Sequence, residues 1–372
     1  MRRWLCLLLT LTAASLAQAA GAVEGRIGFA NPLSGPHATS GGRNRVAVEL
    51  AAAAINSQGG VLGRRLALVP VDDACDADLA ATAAQKLVEA GVAVVIGHFC
   101  SHASLVAAAI YEAVGIVMIS PDSTHPRLTE EGRQNVFRLT GRDDRQGTLA
   151  GDFLATRRHG RRIAVVHDGS TYGRGLAEQT LRRLREREIP VSLVDSYPPG
   201  QVDQSILLTR LQQAGIGLLY VGGYGPDAAR IVRAARERGS TLQLVGGDAL
   251  GMDEFGAIAG IAGDGTIFTN RPDITASPAA APVLAAFRAY GLGPLPSGVG
   301  AYAAVEVWAK AAERAGTFEP AAVARALHHG RFATALGNIS FDDKGDLEGA
   351  DWQWQEWRDG RYGPLRASTA MR

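Results

Sequence analysis

The chain has 372 residues, 47% of them hydrophobic, 20% charged and 6% aromatic. Thirty-eight Lys and Arg against 37 Asp and Glu leave a formal net charge of +1, which offers no basic excess for nucleic acid or an anionic membrane. The length exceeds one ordinary domain, the 45 glycines follow no collagen-like period, and three cysteines are too few for a disulfide scaffold.

The N-terminus sets the compartment. Arg2 and Arg3 precede an apolar run from Trp4 to Leu11, and Ala17-Gln18-Ala19 forms a small-x-small cleavage site. This is the layout of a secretory signal peptide over residues 1–19, too short in its apolar part to span a bilayer. Cleavage removes two of the 38 basic residues and no acid, leaving 36 against 37 and a net charge of −1. Cys6 leaves with the signal. Cys75 and Cys100 remain, each following a strand-like run, so both fall at carboxyl ends of strands on one sheet edge. A bridge between them in an oxidising compartment stabilises by roughly 3 kcal/mol in the chain-entropy model.

The rest alternates strand and helix. Strands are predicted over 26–30, 65–71, 92–96 and 116–120, with helices over 43–55, 78–89 and 104–113 between them. A second series follows the polar stretch Gly141-Arg142-Asp143-Asp144-Arg145. It has helices over 146–157, 172–187, 204–213 and 228–238, and strands over 162–167, 190–194, 217–221 and 242–245. Such alternation signals parallel βαβ units and two doubly wound lobes. Helices over 279–289 and 300–315 and a β-like pair near 339–341 and 352–357 are too few for a third domain. They are expected to complete the two lobes, with the chain crossing between them more than once.

In such sheets function lies at the carboxyl ends of the strands. Asp72-Asp73-Ala74-Cys75-Asp76 reads as loop carboxylates capping the next helix in preference to a cation site or acid/base pair. Gly97-His98-Phe99-Cys100-Ser101 runs into a helix, where Ser101 either caps it or sits beside free N–H groups that suit an anion. Ser120-Pro121-Asp122-Ser123-Thr124 adds hydroxyls. In the second series, strand ends carry Tyr172, Tyr224 and Asp248. Hydroxyls beside N–H groups suit a carboxylate and an opposing acid suits an ammonium, so an amphoteric molecule such as an amino acid fits between the lobes. No nucleophile elbow, zinc-protease motif or phosphate loop is present. His98 and His167 read as packed or hydrogen-bonded structural histidines. No catalytic residue, metal ligand or cofactor is assigned.

Together these segments resemble the periplasmic leucine/isoleucine/valine-binding proteins of branched-chain amino acid ABC importers. The resemblance runs from about 25 to 347. It is carried by Leu33-Ser34-Gly35-Pro36, Ile55-Asn56 with Gly59-Gly60, the segments 72–76 and 96–101, and Val166-His167-Asp168 with Tyr172-Gly173-Gly175-Leu176-Ala177. Gly222-Gly223-Tyr224 and Asp343-Lys344-Gly345-Asp346-Leu347 continue it. It implies an α/β, type I periplasmic-binding-protein fold: two doubly wound parallel-sheet lobes joined by a three-crossover hinge. Lobe 1 would comprise 20–142 and 272–350, lobe 2 143–271 and 351–372. The family's disulfide falls on Cys75 and Cys100. Its ligand-carboxylate contacts fall on Ser101 and Thr124, with backbone groups around Asp122 and Ser123. Its tyrosines over the ligand fall on Tyr172 and Tyr224, and its ammonium-binding acid on Asp248.

The resemblance also implies a monomeric, non-enzymatic periplasmic carrier. It would capture an amino acid, branched-chain or another aliphatic or polar neutral one, and deliver it to ABC permease subunits. A sensor for a signalling partner and a binder of a related small carboxylate are the alternatives. Three positions depart from the family pattern. Ser40 and Ser297 stand where larger walls are usual, and Asp122 stands where a small neutral residue is usual. These imply a roomier, more polar pocket, unless the Asp122 side chain turns to solvent.

Overall fold

The computed structural model describes residues 25–293 and 296–366. The expected signal peptide, 1–19, and the Ser297 side chain lie outside the described residues. The first series builds β1 (Gly25–Asn31), α1 (Ala38–Ser57), β2 (Leu66–Asp72), α2 (Ala77–Glu89), β3 (Val94–Gly97), α3 (Ser101–Val114), β4 (Val117–Ser120), α4 (Arg127–Glu130) and β5 (Val136–Arg138). Its five strands form one parallel sheet in the order β2-β1-β3-β4-β5.

The chain then crosses to the second series. It contains α5 (Asp143–Arg157), β6 (Arg162–His167), α6 (Thr171–Glu186), β7 (Leu193–Ser196), α7 (Ser205–Gln213), β8 (Ile216–Gly222), α8 (Gly225–Glu237), β9 (Gln243–Gly246), α9 (Asp253–Ala259) and β10 (Ile267–Asn270). It returns for α10 (Ala281–Ala289), α11 (Pro296–Ala315), α12 (Pro320–His328), β11 (Phe332–Thr334) and β12 (Gly337–Ile339). A last crossing adds β13 (Gln353–Arg358) and β14 (Arg361–Pro364). The second sheet has the order β14-β13-β10-β9-β8-β6-β7, parallel except for β13 and β14. Two sheets and three crossings are the expected type I architecture.

One expected pairing is wrong. The runs near 339–341 and 352–357 do not pair with each other: β12 pairs with β11 in a small hairpin, while β13 pairs with β10 and β14. The sequence expectation also passed over β5 and β10.

Local sequence explains the elements. β3 and β4 are apolar along their length and wholly buried, as strands covered on both faces must be. Asp76 accepts hydrogen bonds from the N–H groups of Asp78 and Leu79 at the start of α2, which buries Ala80, Ala83, Ala84 and Leu87 along one stripe. Trp308 of α11 is fully buried among Phe29, Val94, Ile119 and Phe287, so the returning segment completes the first lobe's core. In the second lobe Phe255, Phe268 and Trp357 pack together, which binds β13 into that core. Cys75 and Cys100 form a disulfide across Cα atoms 5.5 Å apart.

Candidate functional site between the lobes

The site is built from strand ends of both lobes. Gly97 ends β3 at φ 143°, and a Cβ there would overlap the Ala30 carbonyl of neighbouring β1, so this strand end requires glycine. Four residues later α3 begins at Ser101, with extended Cys100 as its N-cap. Ser101 is therefore the first helical residue and does not cap the helix; its N-terminal N–H groups form the floor of the lobe 1 face.

The hydroxyls next to it are largely occupied. Ser123 Oγ lies 2.6 Å from Ser104 Oγ and donates to the carbonyls of Phe99 at 3.0 Å and His98 at 3.2 Å. Ser120 Oγ donates to the His98 carbonyl at 2.9 Å and accepts from the Ser123 N–H at 3.0 Å. His98 is fully buried between Asp73, at 2.7 Å, and the Tyr111 hydroxyl, at 3.0 Å. These bonds fix the loop so that the backbone around Ser123 and Thr124 is presented in one geometry. Thr124 is buried, and its carbonyl accepts the Asp143 N–H of the second lobe at 3.0 Å.

The second lobe contributes acids. Asp248 Oδ1 accepts from the Tyr172 hydroxyl and from Gln146 Nε2, each at 2.9 Å. Gln146 Nε2 also reaches Asp143 Oδ1 at 3.2 Å, so one amide links two buried carboxylates. Burial pushes the Asp248 carboxyl above the ordinary range, opposed by its bonds to Gln146 and Tyr172. Burial, followed by the neighbouring Asp248 charge, pushes Asp143 well above it. The Tyr172 and Tyr224 rings pack at a tilt of 38° with centroids 5.0 Å apart, and the Tyr224 ring centroid lies 4.7 Å from that of His37 of the first lobe.

The lobes touch across this face. Ser40 at the start of α1 donates its N–H and hydroxyl to the two oxygens of Glu254, at 2.9 and 2.8 Å. Arg43 pairs with Asp253 alongside. Asp122 is not turned to solvent. Its Oδ1 accepts from Arg271 at 3.0 Å and its Oδ2 from Asn44 Nδ2 at 2.7 Å, both oxygens inside the protein. A cavity of about 640 Å³ runs from this face toward the crossings, lined by Ser40, Arg43, Asp248, Met252, Asn270 and Arg271 among others.

Of the residues singled out from the sequence, Asp122, Thr124 and Tyr224 thus make contacts across the lobe interface, and Tyr172 and Asp248 join the network beside it. Sequence reasoning missed Asn44, Asp143, Gln146, Glu254 and Arg271. Asp143 and Gln146 are three apart on α5, a spacing that puts both on one helix face. Arg271 follows a strand end like the others and becomes visible once β10 is recognised. His37 lies close enough to Cys75 and Cys100 for the three to share a metal ion, but those sulfurs are bonded to each other and offer no thiolate. Among the described residues no helix is long and apolar enough to cross a membrane.

Two lobes of this topology with a polar, partly charged cleft at their strand ends define a bilobal small-molecule-binding protein. A family model for periplasmic binding proteins matches residues 24–361, and the chain belongs to that family. It is 38% identical over 340 residues to Leu/Ile/Val-binding protein homolog 1 of Brucella melitensis, covering 90% of this chain and 92% of that one. It is also 38% identical to the leucine-, isoleucine-, valine-, threonine-, and alanine-binding protein of Pseudomonas aeruginosa, over 92% of each chain. The crystal structure of the leucine-binding protein LivK from Thermotoga maritima superposes with a TM-score of 0.83 at 27% identity, covering 92% of this chain and 97% of that one.

Proposed function

We propose that this chain is an extracytoplasmic, non-enzymatic carrier that encloses an amino acid between its lobes and delivers it as a monomer to the permease subunits of an ABC importer. The observation that carries this reading is Asp248. It is a buried carboxylate at a strand end of lobe 2, bonded to Gln146 and Tyr172, while lobe 1 offers the N-terminus of α3 at its own strand ends. An ammonium pairs with the first and a carboxylate with the second. In this reading Ser101, Thr124 and the backbone of Asp122 and Ser123 hold the carboxylate, Asp248 holds the ammonium, and Tyr172 and Tyr224 cover the ligand. The relatives named for leucine, isoleucine, valine, threonine and alanine support amino acids as the class. The signal-peptide layout over 1–19 supports export. Lobe bounds at 142/143, 271/272 and 350/351 are supported by the change of sheet at each point.

Calorimetric titration with the common amino acids tests the reading. Saturable one-to-one binding by at least one of them is expected. Absence of binding by all of them overturns it.

A further inference from the structure

We propose that His37, Cys75 and Cys100 form a binding site for zinc or a similar thiolate-seeking divalent cation in the reduced chain, and that disulfide formation closes this site. The inference goes beyond the carrier reading and does not depend on it.

Three segments distant in sequence bring the ligands together. His37 is the N-cap of α1, Cys75 lies in the loop between β2 and α2, and Cys100 is the N-cap of α3. A ring nitrogen of His37 and the two sulfurs all lie within 4.8 Å of one another. Tetrahedral zinc, about 2.3 Å from sulfur and about 2.0 Å from nitrogen, holds its ligand atoms roughly 3.5–4 Å apart. Side-chain rotation therefore completes the set once the sulfurs part. The N-terminus of α3 favours the Cys100 thiolate, which is the form that binds metal.

The imidazoles give the second observation. His37 keeps only 8% of its surface exposed, yet its Nδ1 has no hydrogen-bond partner among the described residues. A buried polar nitrogen without a partner costs free energy, and a cation beside the two sulfurs would supply one. His102 repeats the pattern from the first turn of α3. Its Nε2 lies 4.0 Å from Cys75 Sγ, and its Nδ1 is buried with no partner among the described residues. That Nε2 also lies 2.6 Å from the Cys75 carbonyl oxygen, so the fourth position is open to water or to His102.

The chain is synthesised with both cysteines as thiols, and a dithiol reductant restores them. Two electrons and two protons enter the S–S bond, and the reductant becomes a disulfide. Zinc then takes both thiolates, and the two thiol protons pass to solvent. Every ligand belongs to lobe 1, so the metal replaces the S–S bond as the tie between the loops that follow β2 and β3.

The test reduces the mature protein with dithiothreitol, removes the reagent under nitrogen and titrates zinc against a chromogenic chelator. One zinc per reduced chain, a higher melting temperature with zinc than without, and a tetrahedral thiolate spectrum with cobalt(II) are expected. The oxidised protein is expected to bind none. His37→Gln should weaken zinc binding about tenfold or more, since loss of even a group that only orients a ligand costs that much. Substoichiometric zinc, an octahedral cobalt spectrum or equal binding by the oxidised protein overturns the site. Where the variant does not fold, the reduced native chain in denaturant takes its place. Binding as tight there as in the folded chain, or in His37→Gln as in the native protein, means that the thiols act without the folded site and overturns it.

Discussion

In the proposed reading the two faces of the cleft solve opposite halves of one recognition problem by different means. On lobe 1 the side-chain hydroxyls of Ser120 and Ser123 are spent on the carbonyls of His98 and Phe99, and what is left for a ligand is mainly backbone at the start of α3. On lobe 2 the backbone recedes, and a network of Asp143, Gln146, Tyr172 and Asp248 side chains forms the face. Backbone recognition depends on the loop being held still, so lobe 1 carries the disulfide and the buried Asp73–His98–Tyr111 chain directly beneath its site. In the proposed reading, side-chain recognition on lobe 2 depends on a single charge, that of Asp248.

This contrast sets the expected sizes of effect. The double variant C75S/C100S should cost lobe 1 about 3 kcal/mol by the chain-entropy estimate for a 25-residue loop. Denaturant unfolding with lobe-specific probes should show the loss on the β1–β5 lobe and an unchanged transition on the other. A uniform loss, or none, would break the view that lobe 1 alone is pinned. Asp248→Ala should weaken amino-acid binding more than tenfold, because the ligand ammonium then lies buried without a partner. Ser123→Ala should leave affinity within about threefold, since its hydroxyl is turned to carbonyls of its own lobe. Similar losses for both variants would mean that the Ser123 hydroxyl also reaches the ligand.

The same contrast determined what the sequence could reveal. The lobe 1 site was legible because its elements are local: an apolar run, a turn, and a helix whose first N–H groups need no distant partner. Lobe 2's acid was legible at a strand end, but its supporting network was not. Asp143 sits in a stretch that reads as a polar linker and Gln146 opens the predicted helix after it, and they meet Asp248 only across 102 residues and more. Arg271 finds Asp122 over 149 residues, and no local signal announces that pair. The misplaced final strand has the same cause. The run 352–357 reads correctly as β, but a strand pattern carries no information about which distant strand it joins. β10 was missed because it holds only two strongly apolar residues, Ile267 and Phe268, after a glycine-rich turn.

Acid should separate stability from binding. Burial raises the Asp248 and Asp143 carboxyls in the folded protein, so between the unfolded and folded values the folded chain holds protons the unfolded chain has lost. Their contribution to stability is therefore fully present at low pH and is lost as pH rises through the raised values. An ammonium needs Asp248 ionised, so affinity follows the opposite course and falls as pH drops through the same range, by at most about one log unit per pH unit for one group. Thermal melting of the ligand-free protein and calorimetry of the complex, each followed from about pH 4 to 8, should slope in opposite directions. Parallel slopes would remove Asp248 from the ligand.

The smallest expected effect belongs to the contact that joins the two faces. Ser40 gives Glu254 two hydrogen bonds from the first turn of α1 to the first turn of α9, with both residues buried in the closed arrangement. When the lobes part, each group can exchange its partner for water, so the net worth of the hydroxyl bond is on the order of 1 kcal/mol. Ser40→Ala keeps the backbone N–H bond and removes only the hydroxyl one. Affinity should therefore fall by about fivefold, consistent with that 1 kcal/mol. Because the contact exists only after closure, the loss should fall on dissociation, with the association rate unchanged in stopped-flow measurements. The ranking of ligands supplies the sharper reading. A contact that merely holds the lobes together lowers every affinity by one factor, whereas a Ser40 that touches the ligand changes the order among side chains. A reordered ranking would move Ser40 from the lobe contact to the lobe 1 reading surface, and with it part of the division of labour between the two faces.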